Sequence, residues 1–376
     1  MNILILSWRG PKNPNAGGAE IASHEHAKAW VRNGHNVVLF TSLFEGGLGK
    51  ENIDGVNIVR CGNEVFGVTI RAFFWYFFGK HPKFDLVIDE IHGVPFFTPL
   101  YVKEKKLCYI HEVAKEVWRL NPWPFPFNLI PYVIGTIFEP FVFRLVYRNQ
   151  KFMTVSQSTK VDLINWGILS KNIKVIHNGI TAYRPKPFPE KEKLKTAMFL
   201  GALTRDKGIE DAIKAFNLIN RSNSDWQFWI VGKGEANYVD KLKTMILSLN
   251  LRDKVKFWGY VSEKKKFELL ARTHIVVNPS VREGWGLVVI EANKMGTPVV
   301  VYKSPGLIDS TKDGENGIIL NENSPQVMAK AVTKLVEDRR LYKKLSVGAK
   351  KWSSLFDWSE SGRESLNLLD SILKEK

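Results

Sequence analysis

Two glutamates lie eight positions apart in the stretch REGWGLVVIEA, residues 282–292. Glu283 falls in a glycine-containing bend, and Glu291 falls in the helix that the following apolar run predicts. A carboxylate accepts paired hydrogen bonds from vicinal hydroxyls, so one glutamate suits a hexose and the other suits a ribose. Backbone N–H groups at such a bend suit a diphosphate. The alternative, two solvated surface glutamates, is disfavoured by the bend and by the apolar run.

Two cations stand at the start of another predicted helix, in GALTRDKGIEDAIKAF, residues 201–216. The apolar side chains after Gly208 recur with helical spacing. Arg205 and Lys207 precede that helix, where positive charge opposes the helix dipole. A bound anion would remove this conflict, whereas the alternative, two solvated surface charges, carries a small cost.

The N-terminal half offers a glycine pair and a histidine. Gly17 and Gly18 precede a predicted helix, and backbone N–H groups there can hold an anion, although the pattern is neither G-x-G-x-x-G nor a P-loop and a plain turn is the alternative. His111 directly follows the apolar run KLCYI. The other seven histidines have no comparable position. His24 and His26 are two apart on a helix and point to different sides, so they make a poor metal pair.

Short apolar runs alternate with helical stretches along the whole chain. The predicted strands are residues 2–6, 36–40, 85–89, 106–110, 152–155, 174–178, 197–201, 227–232, 254–259, 274–279, 297–302 and 317–320. Near-continuous apolar strands separated by helices predict α/β domains with doubly wound parallel sheets. Such sheets bind ligands at the carboxyl ends of their strands, where the residues above are expected to lie.

The two series of strands predict two domains. The first covers residues 1–180 and the second covers 181–354, with a linker rich in proline and charge at 180–193. Residues 355–376 are predicted to form a helix that crosses back to the first domain.

The composition is that of a folded protein, with 376 residues, 44% hydrophobic and 24% charged. A formal net charge of +16 favours phosphates on nucleic acid, on an anionic membrane or on a substrate. Zinc-finger spacing, an RNP signature and a basic heptad region are all lacking, so we do not expect a nucleic-acid partner. Cys61 and Cys108 cannot form a disulfide framework, and the first apolar run is too short for a signal peptide, which together favour the cytoplasm.

The chain resembles the family 4 glycosyltransferases through motifs that occur in order over nearly its whole length. These are GGAE (17–20), NGI (178–180), LGALTRDKG (200–208), VGKGE (231–235), GYVS (259–262), PSVREGWGLVVIEANKMGTPVV (279–300) and DGENGIIL (313–320). The resemblance implies a GT-B fold, in which two Rossmann-like domains face each other across a cleft. It also implies transfer of a sugar from a nucleotide donor with retention, the donor lying in the C-terminal domain and the acceptor on the N-terminal side.

The family's functional residues carry over to matching positions. Glu283 would contact hydroxyls of the transferred sugar, Glu291 would contact the ribose, and Lys207 would neutralise the diphosphate. His111, in YIHE, resembles the active-site histidine. The implied donor-binding set is Gly17, Gly18, Arg205, Lys207, Gly232, Gly234, Tyr260, Val261, Glu283, Gly284, Trp285, Gly286, Leu287 and Glu291. One position departs from the pattern, since Ala202 stands where the family commonly has arginine, and Arg205 is the candidate replacement.

The chemistry implied by the resemblance needs no metal and no other cofactor. Cations and helix N–H groups would stabilise the leaving diphosphate, and the segment DLVIDE, residues 85–90, is not a persuasive metal-binding D-x-D loop. The acceptor hydroxyl would attack from the face of the leaving phosphate, whose oxygen takes the proton. The donor base remains open between uridine and guanosine. A non-catalytic nucleotide-sugar-binding subunit is one alternative, and a glycoside hydrolase that uses Glu283 and Glu291 is another.

Residues 117–148 are unusually aromatic, and residues 70–81 repeat this composition. Proline and Glu139 interrupt the longer segment, so we do not expect a transmembrane helix. Aromatic side chains beside Arg119, Arg144 and Arg148 favour a peripheral surface that contacts anionic membrane on its cytoplasmic face and reaches a lipid-linked glycan acceptor. The alternative is a buried core or a dimer face.

Overall fold

The computed structural model describes residues 1–64, 66–121 and 126–375. The chain divides into two compact units, one formed by Met1–Gly179 with Asp357–Lys376 and the other by Ile180–Phe356. The sequence-based boundaries at 180 and 354 lie beside these divisions. The segment 180–193 belongs to the second unit, where the backbone N–H of Glu192 donates to the carbonyl of Arg272.

The first unit contains an eight-stranded sheet. Its strands are β1 (Asn2–Leu6), β2 (Asn36–Thr41), β3 (Lys50–Ile53), β4 (Val56–Arg60), β5 (Leu86–Ile91), β6 (Lys105–Ile110), β7 (Lys151–Thr154) and β8 (Ile173–Val175). Their order is β3-β4-β2-β1-β5-β6-β7-β8, and every pair is parallel except β3 with β4. The central strands are almost fully buried, which explains their near-continuous apolar sequences.

The hairpin of β3 and β4 was not predicted. Its polar outer strand, KENI, alternates between exposed and half-buried residues, so it lacks a continuous apolar run. The turn signal was present, because Asp54 and Gly55 lie between the strands and both have positive φ.

Helices connect these strands. They are α1 (Gly18–Arg32), α2 (Phe66–Phe78), α3 (Leu129–Val133), α4 (Glu139–Val142) and α5 (Gln157–Asn165). Shorter 3₁₀ turns occur at Thr98–Leu100, Lys115–Leu120 and Ser170–Asn172. Cys108 is buried and Cys61 is half-buried, and both thiols are free.

The segment between 129 and 147 differs from its prediction. Stretches of π-helix at Ile134–Phe138 and Phe143–Tyr147 join α3 and α4 into a continuous helical run, so proline and Glu139 do not interrupt the backbone. By length and composition alone, this 19-residue run is the one described helix that could cross a membrane. Glu139 is buried and accepts a hydrogen bond from the indole of Trp118. Residues 122–125 of the aromatic segment lie outside the described residues.

The second unit contains a six-stranded, fully parallel sheet. Its strands are β9 (Lys195–Leu200), β10 (Trp226–Val231), β11 (Val255–Gly259), β12 (Ile275–Asn278), β13 (Val299–Val301) and β14 (Gly317–Ile319), in the order β11-β10-β9-β12-β13-β14. Its helices are α6 (Ile209–Ser222), α7 (Ala236–Ser248), α8 (Glu263–Arg272), α9 (Leu287–Lys294), α10 (Leu307–Ser310), α11 (Pro325–Glu337) and α12 (Arg339–Ser353). All twelve predicted strands are present, and the prediction of two α/β units with parallel sheets is confirmed.

The last helix, α13 (Trp358–Lys374), returns to the first unit and packs on α1. The hydroxyl of Ser365 accepts a hydrogen bond from the indole of Trp30 at 2.9 Å and lies 3.1 Å from Nδ1 of His26. Gly362 allows the close approach, since a Cβ there would lie 2.7 Å from Cβ of Ala29. His26 is therefore part of this helix contact rather than of a metal site.

Candidate functional site

Lys207 and Glu283 lie together at the carboxyl edge of the second sheet. Lys207 Nζ donates to Glu283 Oε2 at 3.0 Å, and the hydroxyl of Ser280 donates to Glu283 Oε1 at 2.7 Å. Asp206 is a second carboxylate near Lys207, at 3.8 Å. Both partners of the main pair keep about a fifth of their side-chain surface exposed, 21% for Lys207 and 20% for Glu283. A ligand can therefore reach a fixed cation and a fixed carboxylate at the same place.

Backbone contacts between loops hold this pair in position. The loop after β9 reaches the loop after β12, where the N–H of Val281 donates to the carbonyl of Asp206 at 2.8 Å. Gly208 permits this approach, because its φ is +70° and a Cβ would lie 2.2 Å from the carbonyl oxygen of Pro279. The loop after β13 is tied in by a bond of 3.0 Å from Glu283 N–H to the carbonyl of Pro305.

The glycine-containing bend around Gly286 forms the N-terminus of a helix. Gly286 has φ +78° and precedes α9, which begins at Leu287. The indole of Trp285 is buried and meets the ring of Phe356 at 5.1 Å, so this side chain is a core residue. The role predicted here for backbone N–H groups from Gly284 to Leu287 stays a prediction.

Glu291 lies on α9 and forms an ion pair that the sequence did not reveal. Lys266 of α8 donates to Glu291 Oε1 at 2.7 Å and also meets Glu263 at 2.8 Å. Burial raises the pKa of Glu291 above its usual range, although the charge of Lys266 opposes this. Burial lowers the pKa of Lys266, but the two carboxylates outweigh burial and the net shift is upward. A ribose bound by Glu291 would share this carboxylate with Lys266.

The strand ends of β9, β10 and β11 form a pocket of about 370 Å³. Gly232 and Gly234 line it, and a Cβ on either would meet backbone oxygen, at 1.8 Å from Gly201 and at 2.5 Å from Leu203. Tyr260 is 78% exposed at its rim, with Lys233 Nζ 5.5 Å from the ring centre. Val261 follows as a half-buried residue. The role of Gly232, Gly234, Tyr260 and Val261 in donor binding stays a prediction.

Arg205 and Ala202 are both exposed on the loop after β9. The substitution of the family arginine by Ala202 therefore leaves a surface position without charge, and Arg205 supplies a cation on the same loop. Its contact with donor phosphates stays a prediction.

His111 lies in the first unit, inside a buried polar cluster. Its Nε2 is 3.3 Å from Glu90 Oε1, and Nε2 of His92 is 3.1 Å from the same oxygen. Ser23 of α1 also donates to that oxygen. Adjacent strands create the cluster, because Ile91 of β5 pairs with Ile110 of β6 and the next residues are His92 and His111.

The charges of this cluster are coupled. Burial alone raises the pKa of Glu90, but hydrogen bonds from the two histidines outweigh it and the pKa falls below its usual range. Burial lowers the pKa of His92, yet the bond to Glu90 raises it above 6.5 overall. Burial and the charge of His92 keep the pKa of His111 below 6.5. Glu90 is therefore ionised and His111 is neutral, so His111 donates Nε2–H to Glu90 and keeps a lone pair on Nδ1.

Gly17 and Gly18 occupy the start of α1, as predicted. The N–H of Gly17 donates to the carboxylate of Glu20 at 2.7 Å, which caps the helix. Glu20 therefore already accepts from the N–H of Gly17, and the phosphate contact of the glycine pair stays a prediction.

Sequence reasoning missed Glu90, His92, Ser280 and Lys266. The view that no other histidine compares with His111 is wrong, because His92 meets the same carboxylate. The available signal was DEIH, residues 89–92, at the end of a strand that a parallel sheet can place beside KLCYIH.

Comparison with known proteins agrees with this architecture. Two family models match consecutive parts of the chain, Glycosyltransferase Family 4 over residues 16–184 and Glycosyl transferases group 1 over residues 183–352. An uncharacterized glycosyltransferase of Methanocaldococcus jannaschii is 26% identical over 395 aligned residues, which cover 98% of this chain and 97% of the relative.

Solved structures show the same fold. The sucrose-phosphate synthase from Thermosynechococcus elongatus aligns over 100% of both chains with a TM-score of 0.81 and 17% identity. HepE of Anabaena, solved in complex with UDP-glucose, covers 99% of this chain and 100% of its own with a TM-score of 0.72 and 19% identity. The two family models together cover residues 16–352, and the chain belongs to family 4 of the glycosyltransferases, with the GT-B fold.

Proposed function

We propose that this protein transfers a hexose from a UDP- or GDP-sugar to a hydroxyl acceptor, with retention at the anomeric carbon and without a metal. The proposal rests on one observation, the partly exposed pair of Lys207 and Glu283 at 3.0 Å. A nucleotide sugar needs a cation for its diphosphate and a carboxylate for its hydroxyls, and this pair supplies both groups.

The reaction breaks the bond between the anomeric carbon and a phosphate oxygen. Lys207 stabilises the negative charge that develops on the leaving diphosphate, with Arg205 and the N-terminus of α9 as further donors. Glu283 orients the sugar through its hydroxyls, and Glu291 binds the ribose. The acceptor oxygen bonds to the anomeric carbon on the same face, and its proton passes to the departing phosphate oxygen. No covalent enzyme intermediate is involved.

His111 contributes a hydrogen-bonding group on the acceptor side. It is neutral, and Glu90 fixes its tautomer by accepting from Nε2. The Nδ1 lone pair can then accept a hydrogen bond from a substrate hydroxyl. Glu90 acts as a positioning residue, because it reaches the substrates only through the imidazole.

Nucleotide binding provides the first test. Thermal unfolding is followed with UDP, GDP and ADP, and stabilisation by one of them is expected, by about 2.7 kcal/mol at a hundred times its Kd. UDP is the first choice, because the Anabaena protein was solved with UDP-glucose. A glycoside hydrolase predicts no stabilisation by any nucleotide, and that result would reject the transferase.

Glu283→Gln tests the carboxylate. The substitution keeps volume and removes charge, so transfer should fall by at least about a hundredfold while the unfolding temperature changes little. Glu322→Gln, an exposed glutamate of the same unit, is the matched control and should retain full activity. If the protein is a non-catalytic binding subunit, the wild type should show no turnover, and neither substitution can then change it.

We further propose that the acceptor is lipid-linked and is reached from an anionic membrane surface. Two helical faces of the first unit carry exposed apolar side chains. Phe66, Phe74, Phe77 and Phe78 are exposed on α2, and Leu129, Ile137, Phe138, Phe141 and Leu145 are exposed on the 129–147 run. The alternative that these residues form a buried core is wrong, and a dimer face remains the competing explanation.

Vesicle sedimentation separates these two explanations. The wild type should sediment with anionic vesicles at low salt and be released as salt rises. Phe141→Ser should weaken binding, whereas Val347→Ser, which removes an exposed apolar side chain from α12, should not. A protein that stays in the supernatant and behaves as a dimer in solution would reject membrane contact.

A further inference from the structure

The cluster around His111 combines three groups that commonly bind metal ions. Glu90, His92 and His111 each offer one ligand atom, and these atoms all lie within 4.8 Å of one another. Each side chain is at least 85% buried, with 0% of Glu90, 14% of His92 and 8% of His111 exposed. Two imidazoles and one carboxylate are the donor set of many three-ligand zinc sites, in which a fourth position stays open.

The distances suit zinc. Zinc binds imidazole nitrogen and carboxylate oxygen at roughly 2.0–2.2 Å, so ligand atoms in a tetrahedral site lie about 3.4 Å apart. Glu90 Oε1 is 3.1 Å from His92 Nε2 and 3.3 Å from His111 Nε2. A zinc ion can therefore take the place of the two Nε2–H groups, with each imidazole carrying its proton on Nδ1, after small side-chain shifts.

A second observation points to a missing partner. The other carboxylate oxygen, Glu90 Oε2, is buried and has no hydrogen-bond partner among the described residues. A buried carboxylate oxygen without a partner is costly, and a zinc ion bound by both oxygens of Glu90 would remove that cost. The hydroxyl of Ser23 already contacts Oε1, as the outer shell of a metal site requires.

We propose that Glu90, His92 and His111 form a zinc site, and that zinc bound there inhibits the enzyme by occupying His111. The strand pairing of β5 and β6 fixes the two histidines side by side, with ring centres 5.3 Å apart. Magnesium should not compete, because it prefers oxygen ligands in octahedral geometry. The inhibitory part rests on the proposed function, whereas zinc binding does not.

Metal binding is tested on the full chain, which is stripped with a chelator, desalted, incubated with excess Zn²⁺ and desalted again. About one zinc per chain should be retained by elemental analysis, and Co²⁺ should give visible d–d absorption that zinc abolishes and magnesium does not. His92→Ala and Glu90→Gln should weaken zinc binding by at least about tenfold. Circular dichroism shows whether each variant is folded.

His24→Ala is the matched control. His24 also pairs with a carboxylate, Asp54 at 2.9 Å, but that pair offers only two ligands. Its loss should leave zinc binding unchanged. The zinc site is rejected if the wild type retains no zinc and shows no cobalt absorption, a result that can be obtained without any variant. It is also rejected if, among the variants, only His24→Ala loses the metal.

Activity separates this inference from the proposed function. Stoichiometric zinc should lower sugar transfer by the wild type at least tenfold, and excess chelator should restore it. Zinc that binds at one equivalent without lowering transfer overturns the inhibitory role. If no nucleotide sugar is turned over at all, the proposed function fails while cobalt absorption still decides the metal site.

Discussion

Gly208→Ala is expected to separate Lys207 from Glu283 without directly replacing either residue. Gly208 has φ +70°, and a Cβ there would lie 2.2 Å from the carbonyl oxygen of Pro279. Gly314 has the same φ of +70°, but no described atom lies within 4 Å of its Cβ position. Alanine at either position should cost about 1–2 kcal/mol for the left-handed backbone. Only alanine at position 208 also meets the backbone of another loop.

The size of the effect follows from that contact. Ordinary van der Waals contact begins at 3.4 Å, so the Pro279 carbonyl must move by about 1.2 Å, the difference between 3.4 and 2.2 Å. The next residue, Ser280, holds Glu283 at 2.7 Å, and Lys207 directly precedes the substituted glycine. The 3.0 Å pair should therefore open. A misplacement of about 1 Å can lower turnover by about a hundredfold.

Two measurements on both variants test this reasoning. Gly314→Ala should lower the unfolding temperature by roughly 2–4 °C per kcal/mol and leave nucleotide affinity and kcat/KM unchanged. Gly208→Ala should lower the unfolding temperature further and reduce kcat/KM by about a hundredfold. If the two variants agree within twofold in kcat/KM, the loop contact does not position the site.

Three further substitutions test the electrostatics. Burial lowers the pKa of His26 to about 3. Between pH 6.5 and 3 only the unfolded chain binds this proton, so the free energy of unfolding falls as the pH falls, by about 2 kcal/mol at pH 5 relative to neutral pH. His26→Gln should remove this part of the pH dependence of the unfolding free energy measured in denaturant titrations. Lys207→Met should weaken nucleoside-diphosphate binding by about 10–100-fold in calorimetry, because one charge-assisted hydrogen bond is lost; an unchanged Kd contradicts its role. Lys266→Met leaves the Glu291 carboxylate without its ion-pair partner and should lower the free energy of unfolding by about 1.5–3 kcal/mol, whereas equal stability would show that solvent satisfies that carboxylate.

The strands and the main site residues of the second unit were accessible from sequence. Buried parallel strands require near-continuous apolar runs, and the less buried edge strands β8, β11 and β14 also carry apolar residues, so all twelve runs could be recognised. Loops that follow such strands meet at one edge of the sheet, which placed Lys207 and Glu283 on the same side before any distance was known. The polar outer strand β3 of the β3–β4 hairpin was not predicted, because it has no continuous apolar run.

Side-chain contacts between residues on different strands or helices could not be predicted from the sequence. His92 meets His111 because β5 and β6 are neighbours in one register, and the sequence did not specify that register. Lys266 meets Glu291 for a similar reason, since α8 and α9 pack side by side. The exposure of the aromatic segment 117–148 could not be predicted either, because composition does not distinguish a buried helix from an exposed one.

By itself, the sequence determined the local elements and the edge of the sheet at which polar residues collect, because apolar periodicity and strand direction are properties of short segments. Only the tertiary structure decided which polar groups touch, which of them are buried and therefore which are charged. These properties depend on the order and register of strands far apart in the chain, since a hydrogen bond requires atoms to meet within about 3 Å.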